Sequence, residues 1–205
     1  MNEAHEIHTV IFDLGGVYFT DGVKPFIQMM EERYGIPRAD VEEIVSGVLG
    51  SQYRTAEITP DDFWRKAKEH WGLDVATSEL SRLWLDGYRP IAGTVNLISR
   101  LRKAGFDVLF LSDNAPDRVD YLESRYKFLG QFKGGVFSHI TKVRKPHEKM
   151  YTAALDLASR PASQCVYIDD KSRLLEPARV LGMHVIAFVS PEQTEADLHA
   201  LGMRF

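Results

Sequence analysis

The 205-residue chain carries 25 Lys and Arg residues against 29 Asp and Glu residues, a net charge of −4 that argues against nucleic acid as a partner. Its 44% apolar and 26% charged residues are typical of a folded globular chain and exclude a disordered one. The single cysteine, Cys165, excludes an internal disulfide framework and favours a reducing, cytoplasmic location. No apolar run has the length of a membrane-spanning helix and the N-terminus does not resemble a signal peptide, so no membrane partner is expected.

The first predicted element is a short buried strand over residues 10–12, an apolar run rich in β-formers. It ends on Asp13, and Gly15 and Gly16 follow at once. Open α/β sheets place their ligand sites at the carboxyl ends of strands, and glycines let the backbone turn and approach a ligand closely. From these residues alone, a ligand site and a simple turn in which Asp13 accepts hydrogen bonds from local amides remain equally open.

The next segment, 21–89, has helical periodicity and no convincing strand. We predict four helices in it: over 24–34, from a cap at Asp40 with Val48 and Leu49 on the apolar face, from Thr59 and Pro60, and over 78–88. The aromatic residues of the last two helices favour packing between helices over a cofactor site. The segment is therefore predicted to be an insertion after the first strand.

From Pro90 onward, strands and helices alternate. We predict strands over 107–112, 135–138, 165–169 and 184–189, helices over 94–104, 116–126, 147–159 and 172–181, and a last helix that begins with a capping box at Ser190. This alternation predicts an α/β fold, a Rossmann-like parallel sheet with helices on both faces. The core would comprise residues 1–20 and 90–205, and the helical bundle of 21–89 would form a cap.

Polar residues follow three of the predicted strands, and a basic loop follows a fourth. These residues are Asp13, the run Ser112-Asp113-Asn114, the pair Asp169-Asp170, and the run Arg144-Lys145-Pro146. The carboxyl ends of parallel strands share one edge of a sheet, so the four groups can converge. Together they offer acids for a hard cation, a hydroxyl donor and a fixed positive charge, which is the set that phosphoryl transfer needs.

In their order along the chain, these residues resemble the motifs of the haloacid dehalogenase-like hydrolase superfamily. Asp13 resembles its first motif, Ser112 the second, Lys145-Pro146 the third and Asp169-Asp170 the fourth. The closest resemblance is to the phosphatase-rich branch that carries a helical cap after the first motif. Residues 55–59 are similar to a Gly-Glu-Ile-Ser/Thr pattern that recurs in that branch.

The resemblance implies a magnesium-dependent phosphatase for a small phosphorylated metabolite, with an aspartyl-phosphate formed on Asp13. It implies that Asp13, Ser112 and Lys145 are catalytic and that Ser112, Asp113, Asn114 and Lys145 bind the substrate. The implied Mg²⁺ site consists of Asp13, the Gly15 backbone carbonyl and Asp170, with Asp169 fixing the site. Oxygen-only ligands of this kind suit magnesium.

Two positions depart from the family pattern. Active phosphatases usually carry a second Asp, a general acid and base, where this chain has Gly15, and often an Asn or Asp where it has Leu174. Two alternatives therefore stay open: a dehalogenase, whose leaving halide needs no proton, and a catalytically weak phosphate-binding or regulatory member. Neither the substrate nor the oligomeric state follows from the sequence.

Overall fold

A computed structural model describes residues 6–205, so the first five residues of the predicted core lie outside the described part of the chain. The strands are β1 (Thr9–Phe12), β2 (Asp107–Ser112), β3 (Gly134–Phe137), β4 (Cys165–Asp169) and β5 (His184–Ala187). The helices are α1 (Val23–Tyr34), α2 (Arg38–Ser46), α3 (Val48–Arg54), α4 (Pro60–Trp71), α5 (Thr77–Leu85), α6 (Ala92–Lys103), α7 (Pro116–Tyr126), α8 (Ser138–Thr141), α9 (Glu148–Ala158), α10 (Glu176–Val180) and α11 (Pro191–Ala200).

The five strands form one parallel sheet in the order β3-β2-β1-β4-β5. The central strand β1 is buried along its whole length, which explains why its sequence is a continuous apolar run rather than an alternating one. Because all the strands point the same way, the ends of β1, β2 and β4 lie at one edge. The predicted Rossmann-like parallel sheet is confirmed.

Helices cover both faces of the sheet. Val10 and Phe12 face the apolar cluster that includes Leu97 and Leu101 of α6, whereas Ile11 faces the cluster that includes Met150 of α9. The alternation follows from the two-residue period of a strand. None of the helices within residues 6–205 has both the length and the apolar character needed to cross a membrane.

The helices α1 to α5 lie between β1 and α6 in the chain and are held together largely by aromatic packing. Phe26 stacks on Trp84 with ring centroids 5.2 Å apart, and Tyr53 stacks on Phe63 at 4.4 Å. The predicted packing role of these aromatics is therefore confirmed. The apolar cluster to which these aromatics belong also contains Phe12 of β1, so it extends from the inserted helices to the sheet. The division into a core and a separate cap over 21–89 stays a prediction.

The second helix of the inserted segment was predicted wrongly. It begins at Arg38, with Asp40 in its first turn rather than at its cap, and it breaks at Gly47. Gly47 has an extended backbone (φ −80°, ψ −153°), and a Cβ there would lie 2.2 Å from the Glu43 carbonyl oxygen. The extended residue interrupts the helical spacing of the apolar side chains, and Val48 is 77% exposed instead of buried.

Three later boundaries also differ. The predicted helix over 172–181 is a 3₁₀ turn, Ser172–Leu174, followed by α10, because Pro177 has no N–H to continue a helix from Ser172 and is tolerated in the first turn of a new one. Strand β5 ends at Ala187, and the Val189 N–H is bonded to the Gln193 side chain at the start of α11 instead of to a strand. Ser138 begins α8 rather than ending β3.

Strand β3 provides a test of the packing. Gly135 is paired in register with Phe110, and a Cβ on Gly135 would lie 2.3 Å from the buried Phe110 ring. We expect Gly135→Ala to lower the free energy of unfolding by about 1–3 kcal/mol, measured by urea denaturation, since overpacking a closed site forces side chains off their rotamers.

The matched control is Gly130→Ala, because no atom lies within 4 Å of the added methyl group there. Both changes reduce the entropy of the unfolded chain alike, so their difference reports the contact with Phe110. Equal unfolding free energies for the two variants would show that the Phe110 ring moves aside at no measurable cost in stability.

Candidate active site

The predicted site residues meet at the carboxyl edge of the sheet. Asp13 follows β1, Ser112 ends β2, and Asp169 ends β4. Asp13 and Ser112 line a cavity of about 320 Å³ together with Gly15, Asp113 and Lys145. Side chains of the inserted helices complete its wall, among them Ile27, Glu42 and Arg54.

The Lys145 ammonium group is the centre of this edge. Its Nζ donates to Asp13 Oδ1 at 2.8 Å, to Asp169 Oδ2 at 2.8 Å and to the Tyr167 hydroxyl at 3.0 Å. The Lys145 side chain is only 2% exposed. All three ammonium protons are therefore used, and the lysine fixes the separation of two carboxylates from different strands.

Burial and the shared lysine divide the charge unequally between the two carboxylates. Burial raises the pKa of Asp13 to about 7, although Lys145 pulls it down. Burial also opposes the charge on Asp169, but Lys145, the Tyr167 hydroxyl and the Lys171 N–H outweigh it, so the pKa of Asp169 is lowered. Lys145 keeps its charge, because the acids more than offset the effect of burial and raise its pKa. Asp13 is therefore the more easily protonated of the two carboxylates, and Asp169 the one that keeps its charge.

Asp169 is held in place from two further directions. The Tyr167 hydroxyl donates to Asp169 Oδ2, and the Lys171 backbone N–H donates to Oδ1 at 2.8 Å. Tyr167 was not among the predicted site residues. Its position was a usable signal, since residues two apart on a strand point to the same side.

The acidic cluster fits a hard divalent cation. Oxygen atoms of Asp13, Asp169 and Asp170 lie within 4.8 Å of one another, and Asp170 Oδ1 is enclosed without a hydrogen-bond partner among residues 6–205. Gly16 opens this space, because at its φ of +98° a Cβ would lie 2.5 Å from Asp170 Oδ2. Carboxylates crowded in this way favour a bound cation.

The three predicted residues at the end of β2, Ser112, Asp113 and Asn114, differ in what their side chains contact. Ser112 is buried and lines the cavity. Asp113 accepts hydrogen bonds from the Lys145 N–H at 3.0 Å and from Arg144 Nε at 3.1 Å, so it fixes the loop that carries the lysine. Asn114 lies outside the cavity wall, and its Oδ1 accepts from the Ala115 N–H at the start of α7. The predicted contact of Asn114 with the substrate stays a prediction.

The two departures from the family pattern are visible in the structure. No atom lies within 4 Å of a Cβ built on Gly15, which borders the cavity, so this position has space but no proton donor. Leu174 is buried in the cavity wall, and its apolar side chain can neither coordinate a metal ion nor hydrogen-bond to a ligand of one. Its carbonyl accepts a hydrogen bond from the Tyr151 hydroxyl at 2.8 Å.

Two buried arginines of the cavity wall, Arg54 and Arg118, were missed by the sequence analysis. Both lie on helices, in α3 and α7, where arginine is usually solvated. Nothing in the local sequence distinguishes them from surface residues, because their burial results from contacts between the inserted helices and the sheet side.

The chain is similar to known proteins over most of its length. The family described as haloacid dehalogenase-like hydrolase matches residues 7–182. The sesquiterpene phosphatase astK of Aspergillus oryzae is 26% identical over 175 residues, covering 84% of this chain and 85% of that protein.

Two solved structures share the fold. A HAD family enzyme from Bacteroides thetaiotaomicron, in complex with magnesium and inorganic phosphate, has a TM-score of 0.73 at 21% identity, covering 88% of this chain and 93% of that one. The L-2-haloacid dehalogenase of Xanthobacter autotrophicus has a TM-score of 0.64 at 21% identity, covering 95% of this chain and 83% of that one. The family match, which spans most of the chain, shows that this protein belongs to the haloacid dehalogenase-like hydrolases.

Proposed function

We propose that the protein is a magnesium-dependent phosphatase that hydrolyses a small phosphorylated metabolite through a phosphorylated Asp13. The observation that carries this proposal is the placement of the Lys145 ammonium between Asp13 and Asp169. An ammonium group that is closed to solvent and fixed at both sides can hold Asp13 in position and stabilise charge on a transferring phosphoryl group. The phosphatase among the relatives and the magnesium–phosphate complex of a structural neighbour support the same reaction.

Magnesium would be held by Asp13, Asp170 and the Gly15 carbonyl, with Asp169 next to them. Asp170 Oδ1 supports this assignment, because it is enclosed, accepts no hydrogen bond within residues 6–205 and has only the Lys171 ammonium near it, at 3.5 Å. A cation bound there would offset the repulsion between the anionic nucleophile and the anionic phosphate. Leu174 offers no additional ligand, so we expect a modest metal affinity.

In the proposed reaction, an Asp13 carboxylate oxygen attacks phosphorus, and the bond from phosphorus to the ester oxygen breaks with its electron pair passing to the departing alkoxide or aryl oxide, which takes its proton from solvent. Water then attacks phosphorus, releases inorganic phosphate and restores Asp13. Lys145 orients Asp13 throughout, and the Ser112 hydroxyl donates to a phosphoryl oxygen. The helices of 21–89 would form a cap over the cavity and exclude water while the ester is cleaved.

A dehalogenase is the second candidate, and Gly15 is the observation that favours it. A halide leaves without a proton, so that reaction does not need the acid that Gly15 lacks. Asp170 argues against it, because it adds a third carboxylate beside Asp13 and Asp169 that the Lys145 ammonium does not contact, and that chemistry has no use for a metal ion there. A weak phosphate-binding or regulatory member would keep the cation site and show little turnover.

The first prediction concerns the nucleophile and the metal. We expect Asp13→Asn to abolish hydrolysis of p-nitrophenyl phosphate, because a carboxamide cannot attack phosphorus, and EDTA to abolish it in the unaltered protein. Release of nitrophenol is the measurement. Asp156→Asn, an exposed change on α9, is the control and should retain full activity.

Hydrolysis that persists in Asp13→Asn would contradict the assigned nucleophile. Hydrolysis that continues at the same rate in the presence of EDTA would contradict the proposed dependence on a metal ion. Loss of halide from a 2-haloacid at a higher rate than loss of phosphate from any ester would favour the dehalogenase.

The second prediction follows from the missing acid at Gly15. An aryl phosphate should be hydrolysed much faster than an alkyl phosphate, because an aryl oxide departs without protonation. Gly15→Asp should raise the rate for the alkyl ester more than for the aryl ester, by up to about 10²-fold, the lower range of general acid catalysis. The open space around Gly15 permits the side chain.

Gly15→Asn is the control, since it has nearly the same shape and no proton to donate at neutral pH. If alkyl and aryl esters are hydrolysed equally fast and Gly15→Asp changes neither rate, another residue supplies the proton.

The third prediction concerns Tyr167, which we regard as a positioning residue. Tyr167→Phe removes a donor to Asp169 and an acceptor from Lys145, so it should lower kcat by about tenfold with little change in KM. The free energy of unfolding should fall by about 1–3 kcal/mol, as for a buried group that loses its partner.

Tyr151→Phe is the matched control. It removes a buried tyrosine hydroxyl whose partner, the Leu174 carbonyl, belongs to the backbone. It should lower stability to a similar extent without lowering kcat. A similar kcat for the two variants would assign Tyr167 a purely structural role.

A further inference from the structure

Arg54 is a buried cation without an acidic partner. It ends α3 and is only 6% exposed. Its Nη1 donates to the carbonyls of Val45 at 2.6 Å and Gly50 at 2.9 Å, and its other nitrogens have no hydrogen-bond partner among residues 6–205. Its own carbonyl accepts from Ser138 Oγ at 2.6 Å, which ties the end of α3 to α8 beside the sheet.

Arg118 is a second cation of the same kind. It lies in α7 and is 3% exposed. Nη1 donates to the Tyr88 hydroxyl at 3.2 Å, whereas Nε and Nη2 are enclosed and unpartnered within the described residues. The guanidinium carbon lies 4.1 Å from the centroid of the Trp84 ring, and that of Arg54 lies 5.5 Å from the same ring.

Both guanidinium groups therefore lie beside the same Trp84 ring, and no ion pair within residues 6–205 includes either one. A buried charge without a partner is costly, and two like charges at one aromatic ring add repulsion. Burial and the charges of Arg118 and Arg144 lower the pKa of Arg54, although a guanidinium stays protonated at neutral pH.

The cavity as a whole is basic, although the chain is acidic. Basic side chains outnumber acidic ones by seven to four in its wall, against a net charge of −4 for the whole chain. Several of the bases have acids of their own, such as Lys145 with Asp13 and Arg144 with Asp113. Three bases of the wall have no ion pair within residues 6–205: Arg173, which is exposed to solvent, and the buried Arg54 and Arg118.

We propose that Arg54 and Arg118 form a second anion subsite, so that the substrate carries a carboxylate or a further phosphoryl group in addition to the phosphoryl group that is cleaved. This inference rests on the proposed phosphatase function and names its substrate class. Free nitrogens of Arg54 bind the anion. The Nε and Nη2 atoms of Arg118 are closed to solvent, so the Arg118 side chain has to rotate slightly before these atoms can bind the same anion. Arginine is suited to this task, since its planar donors match carboxylate and phosphate oxygens.

A purely structural role is the competing explanation. Both arginines pack on Trp84, and cation–π contact of this kind could hold the inserted helices to α7. A structural clamp would affect all substrates alike. An anion subsite would affect only those that carry the second charge.

The test compares four aryl phosphates: phenyl phosphate and its 4-carboxymethyl, 4-phosphonomethyl and uncharged 4-carbamoylmethyl derivatives, with the 3-substituted isomers for a shorter spacing. The methylene group insulates the ring, so the leaving phenols have similar acidity. We expect KM for at least one anionic derivative to be about 10–100-fold lower than for the carbamoyl derivative, the range of hydrogen bonds to charged groups. The preferred derivative identifies the second group as carboxylate or phosphoryl.

Arg54→Met and Arg118→Met remove the charge and keep an unbranched apolar stem near Trp84. Each should raise KM for the preferred anionic derivative by about tenfold or more and leave KM for the carbamoyl derivative unchanged. The exposed Arg160→Met is the control and should change neither value. Circular dichroism verifies that each variant is folded; if neither variant folds, the comparison of substrates on the unaltered protein decides.

Equal KM values for charged and uncharged derivatives on the unaltered protein would overturn the inference and leave the phosphatase function standing. A preference for the anion that survives both arginine changes in folded variants would overturn it as well. If no ester is hydrolysed, the proposed function fails, and calorimetry decides the subsite separately. In that case 4-(carboxymethyl)benzylphosphonate should bind more tightly than its carbamoyl analogue, and equal affinity would overturn the inference.

Discussion

The active-site edge depends on one buried ammonium group, that of Lys145. Asp13 and Asp169 end neighbouring parallel strands, so the fold itself brings two carboxylates together in a place closed to solvent. Two buried carboxylates whose oxygens lie within 4.8 Å of each other repel strongly unless a cation lies between them. Lys145 supplies that cation, and Asp113 holds its loop by accepting from the Lys145 N–H and from Arg144. The geometry of the proposed nucleophile is therefore a property of four chain segments at once.

Much of this arrangement could be predicted from the sequence, because each buried strand is a short apolar run that ends on a polar residue. That signal predicts that Asp13, Ser112 and Asp169 lie at one edge of the sheet. Tyr167 escaped notice since a tyrosine inside an apolar run resembles an ordinary core residue. The break at Gly47 was missed because the apolar spacing continues through it, and only the close approach to the Glu43 carbonyl shows why a glycine is needed. Whether Arg54 and Arg118 have acidic partners depends on packing between distant segments, which local patterns do not encode.

The same contacts connect the proposed chemistry with specificity. Lys145, Asp13 and Asp169 satisfy one another, so they provide a fixed frame that a phosphoryl group can enter without rearrangement. Arg54 and Arg118 keep nitrogens without hydrogen-bond partners among residues 6–205, and they come from two different helices of the cavity wall, α3 and α7. A substrate with two anionic groups would be bound by the frame at one end and by the arginines at the other, and Gly15 leaves open space beside the first. Recognition and bond cleavage are thus assigned to different residues of one cavity.

The most direct test of this account is to look for a phosphoryl group on Asp13 during turnover. An aryl phosphate is mixed with the protein and Mg²⁺, the reaction is quenched in acid at successive times, and the peptide that contains Asp13 is analysed by mass spectrometry. The account predicts a phosphorylated Asp13 that appears as the phenol is released and decays as inorganic phosphate forms. Its decay should be slow, because Gly15 offers no base to activate water. Turnover without phosphate on Asp13, or with phosphate on another residue, would contradict it.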